Sequence, residues 1–134
     1  MRMLDPKQFV VNEAWIAFRL NNAPIRTEAD GDFNCIALMD AASCFILGSD
    51  LFPLNMADAD HLPIRRLLMQ GKRHKQQLPR TLFVPKGDAA EILVSEALRQ
   101  KIHVVSIAES EVLIFIGEAR QGFAERFADG RDDA

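Results

Sequence analysis

The run TLFVPKGDAAEILVSEALRQKIHVVSI, from Thr81 to Ile107, constrains the fold more than any other part of the chain. A short β-branched and aromatic segment, a Pro-Lys-Gly connection, an amphipathic stretch and a second β-branched segment follow one another at the lengths of a βαβ unit. Ile92, Leu93, Ala97 and Leu98 form the inward stripe of the predicted helix. Asp88 stands at its N-cap and Glu91 completes a capping box, which satisfies free backbone N–H groups of the first turn. Strands joined through such a helix run parallel. Leu82 to Val84 and Ile102 to Ile107 are therefore expected side by side in a sheet.

Upstream, WIAFRL (Trp15 to Leu20) reads as a strand ended by the NNAP turn signal, with a short helical turn opened by Asp5-Pro6 before it. IRTEADGD, Ile25 to Asp32, is polar and carries a glycine, and is read as an exposed loop. FNCIALM and CFILGSDLF, separated by Asp40 to Ser43, form a hairpin. Both runs are nearly continuous in hydrophobicity, so both are expected as interior strands covered on two faces. Met39 opposite Cys44 would place Cys35 opposite Gly48, which keeps the two cysteines from bridging. A helix beginning near Asp58 or Pro63 turns Ile64, Leu67 and Leu68 inward and stops at Gly71.

The C-terminal part admits two readings. VLIFI is β-branched and would pair back on HVVSI, whereas Val112, Ile116, Ala119, Phe123 and Phe127 make one helical stripe capped near Ser110. The helix is favoured because the period holds over five positions. The expected element order is thus β-β-β-α-β-α-β-α, a mixed α/β sheet with helices on both faces. It forms a single domain over residues 1–134, with an ordered core of about 5–128 and a frayed tail over 129–134.

Charge is distributed unevenly. The net charge is −3, yet His61 to Gly87 holds seven cations (Arg65, Arg66, Lys72, Arg73, Lys75, Arg80 and Lys86) and no acid. The cations would suit phosphate backbone, but no Tyr, Trp or Phe lies between His61 and Leu82 to stack a base. The alternative is a solvated segment that meets acids on the same domain or on a partner. VPKGD lacks the repeated glycines of a phosphate loop. His61, His74 and His103 lack paired zinc-ligand spacing, and Ser43 and Ser49 lack a nucleophile elbow. DGD at residues 30 to 32 is too short for a calcium loop. Cys44 has no electropositive neighbour in sequence to activate it. No apolar run reaches the length of a membrane span, and MRMLDPKQFV has no apolar leader segment; a soluble, cytoplasmic chain without membrane contact is expected.

The hairpin words CIALMDAASCFILG and the unit PRTLFVPKGDAAEILVSEALRQKIHVVSI resemble the ribonuclease H-like core of integrases and transposases. In that family a strand ending in Asp, a small turn bearing Ser and a strand ending near Gly form the hairpin, and a later strand–helix junction reads Asp-Asn-Gly. The resemblance covers about Trp15 to Phe127 and implies a site in which carboxylates from the first strand, the end of the fourth strand and a late helix hold two metal ions. This chain departs from that pattern. WIAFRL offers no acid, its nearest being Glu13, Glu28 and Asp30, and Pro85 stands where the junction would carry its metal-binding Asp. Glu118 or Glu125 alone would remain for the late helix.

The resulting expectation is a non-catalytic α/β domain, without cofactor or metal, that binds another protein or copies of itself. One alternative is a nucleic-acid-binding module using the seven cations. Another is a metal-dependent nuclease with a displaced acid set of Asp30, Asp32, Asp40 and Asp88.

Overall fold

The computed structural model describes residues 6–21, 25–27, 31–53, 62–85 and 91–132. Six strands, β1 (Ala14–Arg19), β2 (Ile25–Thr27), β3 (Gly31–Asp40), β4 (Ile46–Pro53), β5 (Thr81–Pro85) and β6 (His103–Ile107), form one sheet. Three helices, α1 (Leu62–Lys75), α2 (Glu91–Arg99) and α3 (Leu113–Asp132), alternate with its second half. Across the sheet the order is β4-β3-β1-β5-β6, antiparallel on the β3 side of β1 and parallel on the β5 side. The expected succession of strands and helices is present, with β2 inserted between the first two long strands.

The central strands explain the layers. Along β1, Trp15 and Ala17 enter one buried cluster, while Ala14, Ile16 and Phe18 enter the other. In β3, Ile36 and Leu38 join the first cluster and Ala37 and Met39 the second. Side chains alternate across a strand, so a strand with both faces buried must be apolar throughout. Ile64, Leu67 and Leu68 of α1 and Ala97 of α2 cover the first face. Phe115 and Ile116 of α3, with Val112 just before the helix, cover the second. The C-terminal segment is thus helical from Leu113 onward, so LIFI belongs to the helix that the stripe predicts rather than to a strand. No described helix is long and apolar enough to cross a membrane.

Several details differ from the expectation. Ile25–Thr27 is a strand: it pairs antiparallel with Gly31–Phe33 at the start of β3, past the end of β1. Gly31 adopts φ +84°, a conformation open to glycine without strain. The β3–β4 register is also shifted. The Asp40 N–H donates to the Phe45 carbonyl, and Cys44 has φ 60°, so Cys44 belongs to the connection rather than to the ladder. A bulge at Leu38/Met39 then sets Cys35 opposite Leu51 instead of Gly48. β4 is an edge strand rather than an interior one, with Ile46 and Leu51 exposed on the face that α3 leaves open.

Helix α1 does not stop at Gly71. There the helix crosses the sheet so closely that a Cβ would lie 2.7 Å from Trp15 Cη2 and 2.8 Å from Leu38 Cδ2. The glycine is a packing contact, and the helix closes at Gln76, whose φ is 64°. In α2, Leu98 is exposed while Glu96 is buried. An inward stripe of apolar residues alone omits Glu96, which Arg65 and Arg99 reach at 3.4 Å each and whose burial they make tolerable. Asp88, His61 and Asp58 lie outside the described residues, as do the side chains of Ile92, Leu93 and Phe127.

Candidate functional site

β1 and β5 lie parallel and adjacent, so their C-terminal ends open at the same pole of the sheet. That is where the family resemblance would place the first two carboxylates. β1 supplies none: Trp15, Ile16 and Phe18 are completely buried, and the strand ends in Arg19. β5 ends in Pro85. From α3, Arg120 reaches this pole, donating from Nε to the Arg19 carbonyl at 2.8 Å and pairing with Glu109. The Arg120 guanidinium thus stands at the end of β1, bonded to the last carbonyl of the strand. Among the described residues, the donor set at this pole does not fit a pair of divalent cations, which bind carboxylate oxygens and are repelled by arginine.

The displaced acid set does not assemble among the described residues. Asp40 is fully buried at the opposite end of β1, paired with Trp15. Its Oδ1 accepts the Asn12 N–H at 2.7 Å, and its Oδ2 accepts the Ser43 N–H at 3.0 Å and the Ser43 hydroxyl at 2.6 Å. Those bonds occupy the carboxylate with turn-forming work. Asp30 and Asp88, and the side chain of Asp32, lie outside the described residues. Glu118 and Glu125 are both exposed on α3. No group of three or more metal-ligating side chains forms among the described residues.

Asn12, invisible as a site residue in the sequence, organises that end of the molecule. Its Oδ1 accepts the Trp15 indole N–H at 2.7 Å and its Nδ2 donates to the Gln77 carbonyl at 3.3 Å. With its backbone N–H on Asp40, this one buried residue ties β1, the β3–β4 turn and the α1–β5 connection together. Asn12 adopts φ 66°, which asparagine tolerates better than most residues.

Among the described residues, the cations of the basic segment are not brought to one place. Arg65, Arg66 and Arg73 line an open groove of about 390 Å³ on the outer face of α1, with Met69 and Gln70 beside them. Lys72 is exposed on the same helix and Lys75 is half-buried at its end. Arg80 lies in a different depression with Asn12 and Glu13, and Lys86 falls outside the described residues. Arg65 is held by Glu96, and Arg66 by Asp50 at 2.9 Å. His74 stacks on Phe45 with ring centres 4.7 Å apart.

Beyond α3 lies an open apolar groove of about 760 Å³, lined by Leu20, Cys35, Cys44, Phe45, Ile46 and Phe123, among others. Both cysteines are free. Burial raises the Cys35 thiol, the Ser49 hydrogen bond lowers it in part, and the Asp50 charge raises it further. Burial, followed by the charges of Asp40 and Glu118, raises Cys44. At neutral pH both remain thiols, the opposite of an activated nucleophile.

No protein-family model and no curated protein matches the chain. Solved structures do. A chain in the cryoEM structure of the simian T-cell lymphotropic virus intasome in complex with PP2A regulatory subunit B56 gamma superposes over 96% of this chain with a TM-score of 0.55 at 14% identity. The catalytic core domain of BIV integrase superposes over 92% with a TM-score of 0.55 at 10% identity. This chain spans 44% of the first structure's chain and 74% of the second's. The sheet order, the two helical layers and these superpositions agree: the chain has the ribonuclease H-like fold of integrase catalytic cores, without a metal-coordinating cluster among its described residues.

Proposed function

We propose that this chain is a non-catalytic binding domain, which uses the ribonuclease H-like fold to associate with another protein or with copies of itself. The observation that carries this reading is the end of β1, where an acid-free strand finishes at Arg19 and is joined by Arg120 from α3. A phosphoryl-transfer site of the two-metal kind needs negative charge there. The protein partner is preferred to nucleic acid because Arg65 and Arg66 are already paired with acids of the same domain, and exposed Met69 lines the groove beside them. Incubation of the purified chain with DNA or RNA and Mg²⁺ or Mn²⁺ tests the reading. No cleavage above the metal-only control is expected; metal-dependent cleavage that is lost in Glu118→Gln would overturn it.

A further inference from the structure

The two edges of the sheet are finished differently. In β4, the register places Gly48, Asp50 and Phe52 against β3, so the backbone groups of Ser49 and Leu51 point away from the sheet. The Ser49 N–H and C=O and the Leu51 N–H are covered. Gln70 of α1 donates from Nε2 to the Ser49 carbonyl at 3.2 Å and accepts the Ser49 N–H on Oε1 at 3.0 Å. The Leu51 N–H donates to Asp50 Oδ1 at 2.9 Å, and Arg66 pins that carboxylate.

β6 is the other edge. The His103 N–H donates to the Arg80 carbonyl, so His103, Val105 and Ile107 turn their backbone groups toward β5, whereas Val104 and Ser106 turn theirs outward. The ends of this outward row are occupied. The Ile102 N–H donates to the Ala97 carbonyl at 3.0 Å and the Ala108 N–H to Glu111 Oε2 at 3.3 Å. Between them, no described residue bonds the N–H and C=O groups of Val104 and Ser106. The side chains of this stretch are half-buried valines at 104 and 105 and an exposed serine at 106.

We infer that the bare edge of β6 pairs antiparallel with β6 of a second copy about a twofold axis at Val105. The inference rests on the binding-domain reading above and names its self-association surface. Pairing Val104 with Ser106 of the second copy puts both residues at a hydrogen-bonded position, and the symmetric pair does the same. Every outward group of the two strands then finds a partner, and the interface is isologous as a twofold requires. Charge supports the antiparallel sense. Lys101, exposed at the head of β6, comes beside the partner strand's tail, where Glu111 follows, next to Glu109 that Arg120 already holds. The half-buried valines are covered at the same time. A parallel arrangement would set like charges together and leave the hydrogen bonds out of step.

Ser106→Pro tests the pairing without touching the β5 ladder, because the N–H it removes faces outward and the ring blocks the approaching strand. Sedimentation velocity is expected to show a concentration-dependent dimer for the unaltered chain. Ser106→Pro is expected to weaken it roughly tenfold or more in Kd. Lys101→Glu, which leaves the backbone intact should the proline variant fold poorly, is expected to weaken it about threefold. In the dimer the Val104 and Ser106 amides exchange slowly with solvent, and they exchange faster on dilution. A dimer of unchanged affinity in both variants overturns the edge pairing while leaving self-association through another surface standing. A chain that stays monomeric to its solubility limit overturns the edge pairing and self-association together.

Discussion

The edges formed by β4 and β6 belong to one sheet but meet solvent in opposite ways. An exposed strand edge is a template for another strand, and proteins that remain unassociated blunt it. At β4 the blunting comes from the helix laid over the adjacent face: α1 delivers Gln70 to both backbone groups of Ser49 and Arg66 to the carboxylate that covers Leu51. At β6 neither neighbouring helix does this. α2 closes its last turn on the Ala97 carbonyl, and the turn before α3 covers only Ala108. Edge protection in this fold is therefore a property of a few helix side chains, and it can be removed on one side without disturbing the sheet's core.

The largest effect is expected from Gly71→Ala. The added methyl would meet Trp15 and Leu38, two fully buried side chains with no room to yield, and α1 would have to lift from the sheet. Overpacking of this kind costs about 1–3 kcal/mol, read as a lowered denaturation midpoint. Gln70 and Arg66 travel with the helix, so the Ser49 and Leu51 amides should lose protection against hydrogen exchange. Those of β5 should keep theirs beyond what the lower global stability accounts for. Equal loss across the whole sheet would show that the β4 edge has no separate dependence on α1.

Gly71 also illustrates what was legible in the sequence. The apolar period of Ile64, Leu67 and Leu68 located the helix and its inward face, because burial of one stripe is a local signal. The same residues could not reveal that Gly71 lies against Trp15, since a contact between positions so distant in sequence leaves no periodic trace. In the sequence alone a glycine here signals a stop; in the fold it is a close approach. The βαβ unit and the α3 stripe were legible for the same local reason. The β3–β4 register was not, because it depends on how Asp40 and Cys44 fold the turn and on a bulge. The missing acids of β1 and β5 were visible as letters, whereas Arg120 beside Arg19 required the tertiary arrangement. Asn12 left one weak trace: it is a polar residue just before an apolar strand, a position more often assigned to a turn than to a buried knot.

A smaller effect is expected from Gln70→Ala. Two hydrogen bonds to Ser49 are lost, but they are exposed and water replaces part of them, so destabilisation should stay near 1 kcal/mol. The consequence for association should be larger than that for stability. With the Ser49 groups bare, β4 offers an edge like that of β6, and a chain with two open edges can grow beyond a closed pair. Sedimentation velocity is expected to show species larger than a dimer in Gln70→Ala and none in the double variant Gln70→Ala/Ser106→Pro beyond a β4-mediated pair. An unchanged size distribution would mean that Arg66 and Asp50 suffice to guard β4.

The finest comparison uses the thiols as reporters. Cys35 lies on β3 directly opposite Leu51, and its thiol is bonded to Ser49 of the same edge strand. Burial holds its pKa above the ordinary value, so at pH 8 less of it is thiolate than in an exposed cysteine, and alkylation should be slow and rise steeply with pH. Cys44 is raised as well, by burial and by Asp40 and Glu118, but it sits in the turn that Asp40 and Ser43 lock, independent of Gln70. Loosening β4 by about 1 kcal/mol should therefore speed Cys35 alkylation about fivefold in Gln70→Ala and leave Cys44 unchanged. Peptide mapping by mass spectrometry separates the two rates. Equal acceleration of both thiols would mean that Gln70 stabilises the hairpin as a whole rather than its outer edge, and the contrast between the two sheet edges would then rest on β6 alone.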